Sequence, residues 1–376
     1  MRALILAFVV AHAAGNRAAA RYIIDLSTAP EHRWDHIITS DGNNASLWKA
    51  IAAVEANPEF GVLLKLAAKI PFTKLSGWMP AEQAAEVSGI ERLTKLPSGV
   101  LWAVNALYDI TAGDHDPHHA CTSLVTQAAD GTISHGRNLD YPLGKAMQSI
   151  TMAIDWRAHA DANATFTSVG FLGQVGFNTV VRHGAWGLSH DERDLGALTE
   201  DWVDVFLRRR VLTFSFIRQL AQTAPTFATA VKTASSTDLS AASYFVLSGT
   251  APGEGALITR DRDAHAAGAT DVYRLDAAAG RWYLLETNYD HSKPTSPTDD
   301  RRAVAQRAFA RAGRARAASV DGLVAILSDN AHCNTTAGER PVLNSHTVYT
   351  AAFSAAVPGS LQVIVRDPPS VDACSH

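Results

Sequence analysis

A predicted β-hairpin between residues 121 and 138 constrains the fold of this chain more than any other feature. The segment Cys121 to Ala128 alternates in polarity, and Thr132 to Asn138 returns with a similar pattern. Between them, Asp130-Gly131 is typical of the two-residue turns that match the twist of paired strands. The open end of such a hairpin brings residues that are far apart in sequence close together in space.

Three side chains that can take part in a reaction lie at this open end: Cys121, Arg137 and Asp140. A thiol attacks as the thiolate, whose unperturbed pKa is about 8.5, so it needs a base. If Cys121 were the first residue of a mature chain, its own α-amine would serve as that base. Asp140 would hold the amine and Arg137 would stabilise negative charge. The scheme requires cleavage of the Ala120–Cys121 bond.

The alternative is structural. A single cysteine is often a small buried apolar residue, and Arg137 and Asp140 can form an ordinary surface ion pair. The hairpin alone does not decide between these two interpretations.

The first residues are typical of a signal peptide. A charged start is followed by an apolar run to residue 10 and by Ala11-His12-Ala13, which has the pattern of a cleavage site. We expect residues 1–13 to be removed, with cleavage between 13 and 20, and the chain to enter the secretory pathway. Three sequons fit glycosylation on that route, at Asn44, Asn163 and Asn334.

Composition excludes some classes of protein. Hydrophobic residues make up 47% of the 376 residues, which is ample for a globular core. A formal net charge of −4 does not suit a nucleic-acid-binding protein. If Cys121 is catalytic, Cys333 and Cys374 remain as an even pair, and in an oxidising compartment we expect them to form a disulfide. The alternative is that one or both stay free.

The chain is predicted to be helical first and rich in strands later. Ser46 is expected to cap an early helix. The helix predicted at residues 60–70 carries Lys65 and Lys69 on one stripe and either lies on anionic lipid or packs on the core. Because the segment before Cys121 is mostly helical, we expect it to lie outside the sheet of the hairpin. Later runs of strands separated by pairs of helices indicate an α+β fold with two sheets and helices outside.

Four motifs, in order, resemble the acid ceramidase / N-acylethanolamine-hydrolysing acid amidase family. They are Cys121-Thr122-Ser123, the stretch His135 to Pro142, the stretch Glu286 to His291, and Asp299-Asp300-Arg301-Arg302. The resemblance implies an N-terminal nucleophile hydrolase, a four-layer αββα sandwich that cleaves itself from a zymogen. It predicts a mostly helical small subunit, residues 14–120, and a catalytic subunit, residues 121–376, that remain together as an α/β heterodimer.

The resemblance also implies roles for further residues. The amide of Asn288 is expected to stabilise the oxyanion, and Arg301 matches an active-site arginine of the family. Glu192 resembles a pocket acid of the amidase branch, the alternative being a solvated run of charges. Tyr141 and Trp186 are expected either to line the acyl pocket or to pack in the core.

The motifs differ in the branch that they favour. Residues 138–142, 191–194 and 288–291 are similar to the amidase, whereas 341–344 and 347–350 are closer to the ceramidase. Ser292 and Ala351 depart from the family pattern and leave the acyl length and the head group open.

The resemblance implies a lysosomal or secreted enzyme that hydrolyses N-acylethanolamines, such as palmitoylethanolamide, at acid pH. One alternative is an acid ceramidase that releases sphingosine and fatty acid from ceramide, and another is a non-catalytic secreted lipid-binding protein. We expect fatty-acid amide lipids as partners, with contact to a membrane or lipid aggregate, and no nucleic acid. We expect no cofactor and no metal.

Overall fold

The structure is a computed structural model that describes residues 16–40, 42–58, 60–69, 76–113, 120–295, 299, 301–329 and 341–367. The predicted signal peptide, the sequon at Asn334 and the cysteines Cys333 and Cys374 lie outside these residues.

Two sheets form the centre of the protein. In spatial order, the six-stranded sheet contains β1 (Arg17–Ala18), β14 (Gln362–Val365), β13 (Thr347–Phe353), β4 (Ile133–Asp140), β3 (Ala120–Gln127) and β12 (Tyr283–Glu286). The eight-stranded sheet contains β11 (Thr270–Arg274), β10 (Gly255–Arg260), β9 (Ser243–Ser248), β8 (Trp186–Glu192), β7 (Thr179–Arg182), β6 (Ala164–Phe171), β5 (Thr151–Arg157) and β2 (Ala20–Asp25). Neighbouring strands run antiparallel except β2 and β5.

Helices cover the outer faces of both sheets. Before the hairpin the structure has α1 (Asp35–Ile38), α2 (Asn43–Ala56), α3 (Gly61–Ala67), α4 (Ala81–Thr94), α5 (Ser98–Asn105) and α6 (Leu107–Thr111). After it come α7 (Gly144–Ile150), α8 (Leu198–Trp202) with a π-helical turn (Val203–Leu207), α9 (Thr213–Thr223), α10 (Phe227–Ser236), α11 (Arg301–Ala317) and α12 (Val320–Leu327).

The layers follow the predicted αββα order. Helix α12 packs on β4 and β13, whereas α9 packs on β7 and α10 on β9 and β10. The two sheets contact each other through β3 and β4 on one side and β8 and β9 on the other. Helix α11 is broken at Gly313, whose φ is 66°. No helix among the described residues is both long and apolar enough to span a bilayer.

The predicted hairpin is formed by β3 and β4, but its loop is one residue longer than predicted. Gln127 pairs with Ile133, and the amide of Ala128 donates to the carbonyl of Thr132 at 2.9 Å. Three residues therefore form the loop, and the last is Gly131, whose φ of 93° is a conformation that favours glycine.

This longer loop decides which side chains share a face. Ser123 pairs with Arg137, and Cys121 pairs with Leu139. Directly paired residues project to the same side of a sheet, so the thiol and the guanidinium share the face between the two sheets, while Asp140 lies on the other face. A two-residue turn would have shifted the register by one residue and separated Cys121 from Arg137.

Two expectations for the first part of the chain are wrong. The segment before Cys121 is mostly helical, yet β1 pairs with β14 and so joins the sheet of the hairpin. Such pairing protects an exposed sheet edge, whatever the helical content nearby. Ser46 is not a helix cap, because α2 already begins at Asn43, after Gly42 with φ 80°.

The two described sequons differ in exposure. Asn163 is exposed in the loop before β6, whereas Asn44 lies half-buried in the first turn of α2. Asn163 is therefore the more accessible of the two side chains.

A buried ion-pair cluster joins the two sides of the predicted cleavage position. Glu86 on α4 has 0% exposure and accepts hydrogen bonds from Arg218 Nη1 at 2.6 Å, Arg33 Nη1 at 3.0 Å and Trp34 Nε1 at 2.9 Å. Arg218 belongs to α9, and its guanidinium lies 4.4 Å from the ring centroid of Trp156. The cluster thus connects α4 to the second half of the chain.

We expect Glu86→Gln to lower the free energy of unfolding by about 3–5 kcal/mol, because it removes the carboxylate bound by the buried Arg218 and one of the two that pair with Arg33. Urea denaturation followed by tryptophan fluorescence measures the change. The comparison is Glu82→Gln on the same helix, which also pairs with Arg33 but is 35% exposed; Arg33 then keeps its bond to Glu86, so the cost should be about 0–1 kcal/mol. Equal effects of the two substitutions would contradict the prediction.

Candidate active site

Cys121 and Arg137 meet in the space between the two sheets. The exposed fraction of Cys121 is 5% and that of Arg137 is 0%, and Arg137 Nη2 donates to Cys121 Sγ at 2.8 Å. The structure therefore brings together two side chains that the sequence analysis places at the open end of the hairpin. They meet because the register of the hairpin puts them on the same face of the sheet.

The backbone of Cys121 is held by two other predicted site residues. Its amide nitrogen donates to Asn288 Oδ1 at 2.6 Å, and its carbonyl oxygen accepts a hydrogen bond from Arg301 Nη1. Arg301 Nη2 also donates to Asn288 Oδ1 at 3.1 Å, so the three residues are linked. Asn288 follows β12 with a φ of 71°, a left-handed conformation that asparagine tolerates better than most residues.

The amide group of Asn288 is oriented differently from the expected oxyanion donor. Its Nδ2 donates to the carbonyl of Glu192 at 2.9 Å, and its oxygen faces Cys121. In the intact chain, Asn288 therefore accepts a hydrogen bond from the residue that it was expected to assist as a donor.

Asp140 lies beside the same backbone, on the opposite face of the sheet from the thiol. It pairs with Ala120 across the hairpin, and its carboxylate accepts hydrogen bonds from Thr347 Oγ1 at 2.7 Å and Asn344 Nδ2 at 2.5 Å. Arg301 Nη1 is 3.9 Å from Asp140 Oδ2. Burial raises the pKa of Asp140, although Arg301 and the two hydrogen bonds oppose the shift.

Electrostatics favour a protonated thiol in the resting chain. Burial raises the pKa of Cys121 far above its usual value, Arg137 lowers it, and the charges of Asp191 and Asp140 raise it further. The guanidinium alone therefore does not produce a resting thiolate. A nearby base must take the proton before the sulfur can attack.

A small pocket of about 60 Å³ opens beside the thiol. Its lining is mostly apolar and aromatic, with Leu107, Tyr108, Leu139, Met147, Phe171 and Phe214 among the residues that form it. Such a lining suits an apolar group with a few polar contacts.

Two of the three predicted pocket residues line this pocket. Tyr141 does so and stacks on Phe60 at 6.1 Å between ring centroids. Glu192, at the end of β8, is half-buried at the pocket wall. Trp186 is fully buried on the same strand but outside the lining, where its Nε1 donates to the carbonyl of Ala224 at 2.9 Å, so it packs in the core.

Sequence reasoning missed several residues around Arg137. Thr179 Oγ1 accepts from Arg137 Nη1 at 3.0 Å, the ring of Tyr349 lies 5.8 Å from its guanidinium carbon, and Asp191 Oδ1 is 3.5 Å from Nη2. Asn178 lines the pocket and accepts from the hydroxyl of Tyr349 at 2.9 Å. Only the alternation of polarity in β8 gave a signal, because it places Asp191 on the face between the sheets.

Metal ligation has no candidate in the part of the chain that the structure describes: no three histidine, cysteine or acidic side chains cluster there in a way that could hold an ion.

We expect Arg137→Gln to slow alkylation of Cys121 by iodoacetamide at pH 7 by about tenfold or more, because Arg137 lowers the pKa of the thiol. Mass spectrometry of the peptide that contains Cys121 measures the rate. Arg366→Gln, at another buried arginine, is the matched control and should leave the rate unchanged. Equal or faster alkylation in Arg137→Gln would contradict the prediction.

Comparisons with known proteins agree with this geometry. No protein-family model matches the chain. The chain is 33% identical to N-acylethanolamine-hydrolyzing acid amidase of Rattus norvegicus over 347 residues, which covers 92% of this chain and 88% of that protein. It is 28% identical to acid ceramidase of Homo sapiens, over 94% of this chain and 87% of that protein.

A solved structure gives the same answer for the fold. The Caenorhabditis elegans N-acylethanolamine-hydrolyzing acid amidase ortholog superposes with a TM-score of 0.54 and 30% identity, over 64% of this chain and 95% of that chain. The chain therefore belongs to the family of N-acylethanolamine-hydrolysing acid amidase and acid ceramidase, closer to the amidase branch, and has the N-terminal nucleophile hydrolase fold.

Proposed function

We propose that this protein is a self-cleaving cysteine amidase that hydrolyses N-acylethanolamines to fatty acid and ethanolamine at acid pH. The observation that carries the proposal is the contact of Arg137 Nη2 with Cys121 Sγ at 2.8 Å beside an apolar pocket. The similarity to N-acylethanolamine-hydrolyzing acid amidases supports the choice of substrate.

Self-cleavage is the first step of the proposal. Cys121 Sγ attacks the carbonyl carbon of Ala120, and the peptide bond is exchanged for a thioester as the nitrogen of Cys121 takes a proton. Water then adds to the thioester, the carbon–sulfur bond breaks, and Ala120 becomes a free carboxylate. The hydrogen bond from Cys121 N to Asn288 and that from Arg301 to the Cys121 carbonyl hold the backbone of Cys121 next to the bond that breaks.

Amide hydrolysis then uses the new α-amine as the base. It takes the thiol proton of Cys121, the sulfur forms a bond to the substrate carbonyl carbon, and Arg137 stabilises the negative charge. The carbon–nitrogen bond breaks, and the leaving amine takes the proton from the α-ammonium. Water then gives a proton to the α-amine and opens the thioester, which releases the fatty acid and restores the thiol.

The lining of the pocket supports an apolar acyl group beside a small polar head group. Met147 and Phe171 are apolar side chains of the lining, while Glu192 and the buried Asn178 supply polar contacts. A half-buried Glu192 near the amide nitrogen of a substrate is suited to relay a proton to the leaving amine.

Acid ceramidase activity is the second candidate, and a specific contact favours it. Asn344 and Thr347, in the two segments that resemble the ceramidase branch, both donate hydrogen bonds to Asp140. The similarity to human acid ceramidase supports this alternative. A non-catalytic lipid-binding protein on the same scaffold is the third candidate.

Processing and location belong to the proposal as well. We expect a small subunit that ends at Ala120 and a catalytic subunit that begins at Cys121, in a lysosomal or secreted protein with a glycan on the exposed Asn163. No cysteine precedes position 121, so a disulfide between the two subunits is impossible. Their association therefore depends on buried contacts such as that of Glu86 with Arg218.

Acid incubation of the wild-type protein should yield two fragments, the larger beginning at Cys121. Cys121→Ala should remain one chain and hydrolyse no amide, because both reactions use the same sulfur. Denaturing electrophoresis with N-terminal sequencing and an assay with palmitoylethanolamide measure the two results. Activity in Cys121→Ala, or a new terminus elsewhere, would refute the mechanism.

A substrate panel separates the three candidates. Palmitoylethanolamide and ceramide are compared by kcat/KM at acid pH. Preference for palmitoylethanolamide supports the amidase, preference for ceramide supports the alternative, and a chain that stays intact and inactive supports the lipid-binding protein.

Exposed apolar side chains next to basic ones support contact with an anionic lipid aggregate. On α3, Val62 and Leu66 are 62% and 54% exposed, and Lys65 is exposed beside them. Leu207 is 77% exposed and is followed by two exposed arginines. These residues combine apolar burial with attraction to anionic head groups.

We expect the double substitution Val62→Ser, Leu66→Ser to weaken binding to vesicles of phosphatidylcholine and phosphatidylserine by about tenfold or more, because two side chains lose apolar burial. Vesicle sedimentation at constant salt measures it. Val357→Ser is the control, because Val357 is an exposed apolar residue (49% exposed) that lies after β13 and outside α3. Unchanged binding by the double variant would exclude α3 from the lipid contact.

A further inference from the structure

Asp191 is a buried acid that the mechanism above does not use. It lies on β8 with 0% exposure, faces the six-stranded sheet, and is absent from the pocket lining. Its Oδ1 accepts from Ser123 Oγ at 2.8 Å and is 3.5 Å from Arg137 Nη2. Its Oδ2 is buried and has no hydrogen-bond partner among the described residues.

Arg137 is therefore shared between two groups. The same nitrogen, Nη2, is 2.8 Å from Cys121 Sγ and 3.5 Å from the carboxylate of Asp191. When Asp191 is ionised, it neutralises part of the positive charge that the sulfur experiences. When Asp191 carries a proton, the guanidinium acts on the sulfur without that compensation.

We propose that Asp191 is a positioning residue whose charge state sets how much of the charge of Arg137 acts on the Cys121 sulfur, and so tunes the reactivity of the nucleophile. The inference rests on the proposed role of Cys121 as the nucleophile. It assigns part of the pH dependence of the thiol to a residue behind the arginine, outside the substrate pocket.

The surroundings of Asp191 make it the group that changes charge near this arginine in mild acid. Burial raises the pKa of Asp191 to about 6, although Arg137 and Ser123 lower it. Burial, and then the charge of Asp191, raise the pKa of Glu286 to about 8, so Glu286 is already protonated at neutral pH. Below pH 6, Asp191 therefore loses its charge beside Arg137, whereas Asp140, whose pKa burial also raises, lies on the opposite face of the sheet from the thiol.

Every element packed around Asp191 contributes charged or titratable groups. They are Cys121 on β3, His135, Arg137 and Asp140 on β4, Tyr244 on β9, Glu286 on β12, Tyr349 on β13, Arg301 on α11 and the adjacent His190.

The two histidines stay neutral because burial lowers the pKa of His135 to about 3 and that of His190 well below its usual value. The two tyrosines stay neutral because burial raises the pKa of each.

The direction of the effect follows from these charges. The ionised Asp191 raises the pKa of the Cys121 thiol, so losing that charge lowers the pKa of the thiol and increases its reactivity. A proton at Asp191 Oδ2 therefore offsets part of the loss of thiolate that acid itself causes. Removing the carboxylate by mutation should have the same effect at any pH.

The test compares alkylation of Cys121 by iodoacetamide in the full-length wild-type protein and in Asp191→Asn between pH 4.5 and 7.5. At pH 7.5 we expect Asp191→Asn to react about tenfold faster or more. At pH 4.5 the two proteins should react at rates within about twofold, because Asp191 is protonated in the wild type and is replaced by a neutral amide in the variant. Equal or slower reaction of Asp191→Asn at pH 7.5 would overturn the proposal.

A second variant covers the case in which Asp191→Asn fails to fold. Ser123→Ala removes the hydrogen bond that lowers the pKa of Asp191, so at pH 6.5 Cys121 should be alkylated faster than in the wild type. A slower or unchanged rate would also overturn the proposal. Asp204→Asn, at a buried aspartate paired with Arg208 and Arg210, is the control and should follow the wild-type profile.

Hydrolysis provides the readout that distinguishes this inference from the proposed function. In Asp191→Asn, kcat/KM for palmitoylethanolamide should exceed that of the wild type at pH 7.5 and approach it at pH 4.5. If no variant hydrolyses any amide while alkylation follows the expected pattern, the proposed function fails and the role of Asp191 stands. If hydrolysis is normal and the pH profiles of the wild type and Asp191→Asn coincide, the role of Asp191 fails alone.

Discussion

The contact between Arg137 and Cys121 is the interaction on which the rest of the site depends. A guanidinium with no exposed surface is costly to bury unless protein groups replace its hydration. Thr179 Oγ1 accepts from Nη1, and the ring of Tyr349 lies 5.8 Å from the guanidinium carbon. These partners on β7 and β13 fix the arginine from two sides, so Nη2 is left for the sulfur and for Asp191. Both sheets are therefore needed to position one hydrogen bond.

The sequence predicted this region well because the hairpin is built from local signals. Alternating polarity predicted both strands, and Asp130-Gly131 predicted the turn. The length of the loop was not predictable from the same residues, since a glycine with positive φ also ends a three-residue loop. That single residue is what places Arg137 on the face of Cys121. The motif that resembles the family therefore indicated that Cys121 and Arg137 act together, which the turn residues alone did not.

Contacts between the sheets were beyond sequence reasoning for a different reason. The run from His190 to Asp194 has the composition of a solvated loop, yet β8 extends to Glu192 and buries Asp191 completely. Burial of a carboxylate depends on a guanidinium from a distant strand, and the alternation in β8, which only assigns Asp191 to a face, does not reveal that partner. The same limitation applies to Trp186, an aromatic residue that suits either a pocket or the core, and whose buried Nε1 donates to the carbonyl of Ala224.

The charges around the proposed cleavage position also suit a free amine as the proposed base. The α-amine of a mature Cys121 would lie beside Arg301, which donates to the carbonyl of the same residue, and near Arg137. Positive neighbours disfavour an ammonium and keep part of the amine neutral in acid, while the buried Asp140 across the hairpin limits that effect. The two arginines therefore lower the basicity of the amine, and the carboxylate of Asp140 raises it. A base that must accept a proton from a buried thiol and then return it to a leaving amine needs that balance.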